Sequence, residues 1–163
     1  GLCYDALGQY TQAIQHHQKA LDIKRQIGDR LGEGTALGNL GLCYHALGQY
    51  EQAIEHHQQA LAIDREIGDR LGEGNALGNL GNAYGALGQY ENAIEYYQQA
   101  LDIARQIGDR RGEGNALGNL GLVYEELGDL PRARQLWQQA LAIFEQLGVP
   151  EAELVRGWLE RSS

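Results

Sequence analysis

The residues best suited to chemistry in this chain are amides. Asn39, Asn79 and Asn119 occupy the same place in three copies of the segment ALGNLG. A side-chain amide both donates and accepts, so it can match a peptide unit. Asn75 and Asn115, with Thr35 in the equivalent place, lie four residues earlier and would share one helical face with them. Asn82, three residues beyond Asn79, extends that face. Gly38, Gly78 and Gly118 point the same way, leaving room for the close approach of a ligand's backbone or of a neighbouring helix. Further along, Asp5, His45, Gly85, Glu125 and Glu126 vary from copy to copy. Variation on a fixed scaffold is where specificity would reside, and the two glutamates would favour a basic group. The alternative is internal: the amides bond neighbouring helices or water.

Other candidate chemistries are poorly served. His16-His17 and His56-His57 are adjacent pairs, and neighbours on a helix diverge by about 100°, unlike the i, i+4 pairs that hold a metal. His17, His57, Tyr97 and Trp137 read as one packing position, and no metal or other cofactor is expected. GEGNALG imitates a phosphate-binding glycine loop, but no strand precedes it. The only serines are Ser162 and Ser163, and the only lysines are Lys19 and Lys24. No nucleophile, base and orienting group come together, so nothing points to an enzyme. Cys3 and Cys43 fall at equivalent places about one helix-packing distance apart, roughly 8–10 Å. That exceeds the Cα separation of about 4.4–6.8 Å a disulfide needs, so they read as buried thiols in a reducing compartment, the cytoplasm.

The elements that must position the amides come from a repeat. Residues 41–80 and 81–120 are mostly identical, 121–148 is a diverged copy, and Gly1 aligns with Gly41, Gly81 and Gly121. Within one unit, Ala76, Leu77, Leu80, Ala83, Tyr84 and Leu87 keep the three- and four-residue spacing of a helix face. Gly88-Gln89 interrupts, and Ala93, Ile94, Tyr97, Ala100, Leu101 and Ile103 form a second face. Gly108 suits a left-handed helix end and Asp109 can cap the next helix. No stretch alternates with period two, so no sheet is expected. Each hairpin leaves an apolar face that only a neighbour can cover.

Leu77, Leu80, Gly81, Tyr84, Gly88, Tyr90, Ala93, Tyr97 and Ala100-Leu101 together resemble the tetratricopeptide signature. It recurs around Leu37, Leu40, Gly41, Tyr44, Ala53, His57 and Ala60, and around Leu117, Leu120, Gly121, Tyr124, Ala133, Trp137 and Ala140. The resemblance implies an all-α, right-handed superhelical solenoid of antiparallel helix hairpins. The expected units are a truncated repeat at 1–33, repeats at 34–73, 74–113 and 114–149, and a capping helix at 150–163. Here the unit is longer than the usual 34 residues, and Arg65 and Arg105 stand where a closing proline is usual. This long form is similar to Pins-type adaptors, kinesin light chains and bacterial signalling proteins with such repeats. The resemblance implies an extended or helical peptide held on the concave side, with Asn39, Asn79 and Asn119 bonding its backbone. Repeats roughly 8–10 Å apart would meet every third extended residue at about 3.3 Å each. Thr35, Asn75 and Asn115 replace the basic groove residues of Pins-type adaptors, so an acidic ligand of their kind is not expected.

A net charge of −9 argues against nucleic acid and anionic membrane as partners, since both favour a basic face. A protein or peptide partner remains. Arg30, Arg70, Arg110 and Arg111 either form a lip of the groove or pair with Asp29, Asp69, Asp109 and the glutamates that follow. At the C-terminal end, Leu154, Val155, Trp158 and Leu159 suggest an apolar stripe on a helix over 150–161 that covers the last hairpin. Gly1–Gly8 read as the second half of a first helix. Its uncovered face, including Leu2 and Leu7, suggests self-association, and the chain itself reads as a piece of something longer. The rival to peptide binding is a structural spacer or self-association segment within a larger signalling protein.

Overall fold

The computed structural model describes residues 2–162, with side chains from Gly8 to Ser162. Among these residues there are eight helices and no strand: α1 (Leu2–Ile27), α2 (Arg30–Ala46), α3 (Tyr50–Ile67), α4 (Arg70–Ala86), α5 (Tyr90–Ile107), α6 (Arg110–Glu126), α7 (Leu130–Leu147) and α8 (Glu151–Arg161). Each break has a local cause. Gly68 and Gly108 adopt φ of +74°, a conformation that costs other residues steric strain. Asp69 and Asp109 then accept a hydrogen bond from the backbone N–H of Gly72 and Gly112, each at 2.9 Å. One residue type ends a helix and the next begins another.

The strongest packing pairs α2 with α3, α4 with α5 and α6 with α7; each following first helix then lies against the preceding second helix. Leu37, Leu40, Leu77, Leu80 and Leu117 form the buried seams between them. Each fully buried leucine contributes roughly 1.5–3 kcal/mol. Close approach within a hairpin depends on Gly41 and Gly81. A Cβ there would lie 2.5 Å from the ring of His57 and 2.6 Å from that of Tyr97. Gly121 faces Trp137 in the same way. His57, Tyr97 and Trp137 therefore fill one packing position, all buried.

The first helices α2, α4 and α6 also touch one another, whereas the second helices of neighbouring hairpins make no comparable contact. The stack is tighter on the first-helix side, so α2, α4 and α6 line its inner face.

Two expectations are corrected. The break anticipated at Gly8 is absent: α1 runs unbroken to Ile27, and Gly8 is not among the left-handed glycines. Gly48, Gly88 and Gly128 turn where a full first helix folds back on its second. The side chains of Leu2, Cys3, Asp5 and Leu7 lie outside the described residues. At the other end, Leu154 is 56% exposed rather than part of the buried stripe. Ala152, Val155 and Leu159 keep the three- and four-residue spacing instead, and Leu154 sits about 100° away from Val155. Val155, Trp158 and Leu159 do pack against the last hairpin, with the Trp158 ring 5.7 Å from that of Trp137.

Candidate functional site: the trough along α2, α4 and α6

The inner face carries a polar trough. One recess, of about 220 Å³, is lined by Asn75, Asn79 and Asn82 of α4 and by Asn115 and Asn119 of α6. Its neighbour, of about 290 Å³, is lined by Thr35 and Asn39 of α2 with Asn75 and Asn79 of α4. The two sets share Asn75 and Asn79 because the amides of α4 face both ways. A further recess of about 450 Å³ brings His45 together with Asn82, Asn119 and Glu126. Glu125, half-buried, stands outside these three.

The amides divide into two groups. Asn82 Oδ1 accepts from Tyr97 Oη at 2.6 Å and from Asn119 Nδ2 at 3.3 Å. That bridge ties α4 to α6, so these two amides bond a neighbouring helix. Asn39, Asn75, Asn79 and Asn115 take no hydrogen bond among the described residues. Thr35 donates back to Leu31 O of its own helix at 2.9 Å. Gly38 and Gly78 open onto free space, but Gly118 is covered by the Trp158 ring 3.4 Å from where its Cβ would be. The trough is therefore open along α2 and α4 and narrowed by Trp158 of α8 midway along α6.

The arginines between hairpins are structural. Glu33, Glu73 and Glu113 are buried, and each lies between two guanidinium groups: Arg25 and Arg30, Arg65 and Arg70, Arg105 and Arg110. Arg25 foremost, with Arg30, holds the Glu33 carboxyl below the usual carboxylate range despite its burial. Arg111 reaches Glu151 of α8. The aspartates anticipated as partners are committed elsewhere, capping helices through Gly32, Gly72 and Gly112. The sequence did contain the missing signal: an arginine eight residues before each glutamate, at the position of the absent proline.

Two floor residues escaped the sequence reading as site residues. Asp64 is 7% exposed and lines the α2–α4 recess, and its carboxylate takes no hydrogen bond or ion pair among the described residues. Burial first, then Asp69 and Glu73, pushes its carboxyl up to about 6. His57, fully buried and lining the same recess, has neither ring nitrogen partnered. Burial, with His45 and His56, lowers it to about 4, so the ring is neutral. The clue was substitution within series: Lys24, Asp64, Ala104 and Phe144 share one place, as do His57, Tyr97 and Trp137. Cys43 is a buried free thiol whose pKa burial raises. No group of three or more His, Cys, Asp or Glu among the described residues could hold a metal ion, and no described helix is long and apolar enough to cross a membrane.

Stacked antiparallel hairpins with a polar trough on the first-helix side define an α-helical repeat solenoid. The chain belongs to the tetratricopeptide repeat family, whose model matches residues 1–66 and 72–146. No curated protein sequence matches it. Among solved structures, it is similar to a signal transduction ATPase with numerous domains from Pyrococcus horikoshii that carries a tetratricopeptide repeat sensor. The two share 27% identity at a TM-score of 0.81, over 94% of this chain and 24% of that one. A Rap protein complexed with competence and sporulation factor matches at 21% identity and TM-score 0.83, over 95% and 44% of the two chains. A kinesin-light-chain-type protein of Podospora anserina with nearly identical repeats matches at 21% identity and TM-score 0.77, over 95% and 77%. The chain thus spans 24% of the length of the ATPase and 44% of that of the Rap protein.

Proposed function

We propose that the chain is a protein-interaction module that holds an extended or helical peptide segment of a partner protein in the trough along α2, α4 and α6. The observation that carries this reading is the row of unpartnered amides, Asn39, Asn75, Asn79 and Asn115, on one face that Gly38 and Gly78 leave open. Amides fixed on helices match peptide N–H and C=O groups without reading side chains. Side-chain preference then falls to the floor and the ends, where His45 and Glu126 contribute. The structure of a Rap protein with competence and sporulation factor bound supports capture of a factor by this kind of scaffold. The free, buried Cys43 suits a reducing compartment such as the cytoplasm.

Asn75→Ala combined with Asn79→Ala tests the reading, because neither amide supports the fold through a hydrogen bond. With decapeptides selected from a randomised library on the full chain, the double variant is expected to lose binding while its helical circular dichroism stays unchanged. Undiminished binding would reject the trough and favour the spacer reading.

A further inference from the structure

We propose that Asp64, on the floor of the recess between α2 and α4, is a subsite for a basic side chain, a lysine or arginine of the peptide lying along the trough. The inference rests on the trough being a peptide site and assigns it a preference. The first argument is the contrast among buried carboxylates. Glu33, Glu73 and Glu113 each have two arginines, whereas Asp64, equally buried, has none. A carboxylate largely withdrawn from water without a partner is unfavourable, and the fold does not require one here. Ala104 occupies the equivalent place one hairpin later and is equally well buried.

The second argument is the chemistry of the recess. No lysine or arginine lines it, and the nearby cations are engaged: Lys24 with Asp29, Arg30 with Glu33 and Glu66, Arg65 and Arg70 with Glu73. Asp69 adds a second negative charge on the same wall. Access is provided by the absence of side chains. A Cβ on Gly34 would lie 3.2 Å from Asp64 Oδ1, and one on Gly72 2.9 Å from it. The third argument is independent of the acidic groups. His57 lies fully buried beneath the same recess, with both ring nitrogens unpartnered. A neutral imidazole keeps one acceptor nitrogen, so this floor holds an unmet acceptor besides the carboxylates. Asn75 and Thr35 on the walls stand beside this floor to meet the ligand's backbone. An anion would find only like charge here.

The test pans a randomised decapeptide library on the full chain, on Asp64→Asn and on the Asn75→Ala, Asn79→Ala variant. On the unaltered chain, one position of the selected peptides is expected to be lysine or arginine. That preference disappears on Asp64→Asn, and a peptide selected on the unaltered chain binds this variant roughly thirtyfold more weakly, the loss typical of breaking a buried charge pair. Replacing the basic residue of that peptide by norleucine should cost a similar factor on the unaltered chain and almost nothing on Asp64→Asn. Peptides that depend on Asn75 and Asn79 but show no basic position, or keep one on Asp64→Asn, would overturn the subsite while leaving the trough intact. Selected peptides indifferent to Asn75 and Asn79 would overturn both.

Discussion

Between α4 and α6 the floor of the trough is closed on itself. Tyr97 donates to Asn82, Asn82 also accepts from Asn119, and the apolar Ala104 completes the wall. Between α2 and α4 the same scaffold, built from nearly the same letters, has Leu42 where the amide of Asn82 would be, a histidine for the tyrosine and a carboxylate for the alanine. There His57 is fully buried with neither ring nitrogen partnered, and the carboxylate of Asp64, 7% exposed, takes no hydrogen bond or ion pair among the described residues. The backbone and its buried leucines are shared, so the difference lies in polar satisfaction. A satisfied floor stabilises the stack; an unsatisfied one is destabilising until something else supplies the missing bonds.

The sharpest way to break this comparison is Asp64→Asn. The folded carboxyl keeps its proton up to about pH 6, while an unfolded one releases it near 4. The folded state therefore binds more protons in that window, and this group's contribution to stability falls as pH rises through it. Asp64→Asn should be more stable than the unaltered chain at pH 7.5, by up to about 3 kcal/mol at roughly 1.4 kcal/mol per pH unit, and equal to it at pH 4. Urea unfolding at the two pH values measures the difference; a gap that persists at pH 4 would show that Asp64 is not held as described.

Next in size is a test of what the two segments share. Gly41→Ala and Gly81→Ala should each lose about 2 kcal/mol, because the added methyl overlaps a buried ring that has nowhere to move. Thermal melts that spared one of the pair would mean the two hairpins are not packed alike. Smaller again is the conversion of one floor into the other by Leu42→Asn with His57→Tyr. An unfolded histidine takes up a proton below about pH 6.5, but folded His57 resists it down to about 4. This group's contribution is complete above pH 6.5 and lost as pH falls towards 4. The double variant lacks that loss and gains an acceptor for its phenol, so at pH 5 it should be about 1–2 kcal/mol more stable than the unaltered chain.

The scaffold was legible in the sequence because its causes are local and repeated. Left-handed glycines, capping aspartates and small residues facing rings recur at fixed spacing, and each alone dictates a turn or a contact. Placing the amides on one face followed from helical periodicity. What could not be read was which amides would find one another: the Asn82–Asn119 bridge depends on how two hairpins sit side by side, a relation spacing along one helix does not contain. Asp64 escaped for a related reason. A carboxylate amid helical letters looks solvated, and only the packing of α2 and α4 over it reveals burial.

The claim on which the rest depends is that the unpartnered amides of α4 meet the ligand. Side-chain amide NMR spectra of the full chain, recorded while a library-selected decapeptide is added, test it most directly. The Asn75 and Asn79 signals should shift, while that of Asn92, on α5 and bonded to Gln89, stays in place. Movement of Asn92 with Asn75 and Asn79 unchanged would put the binding face on the second helices and contradict the account.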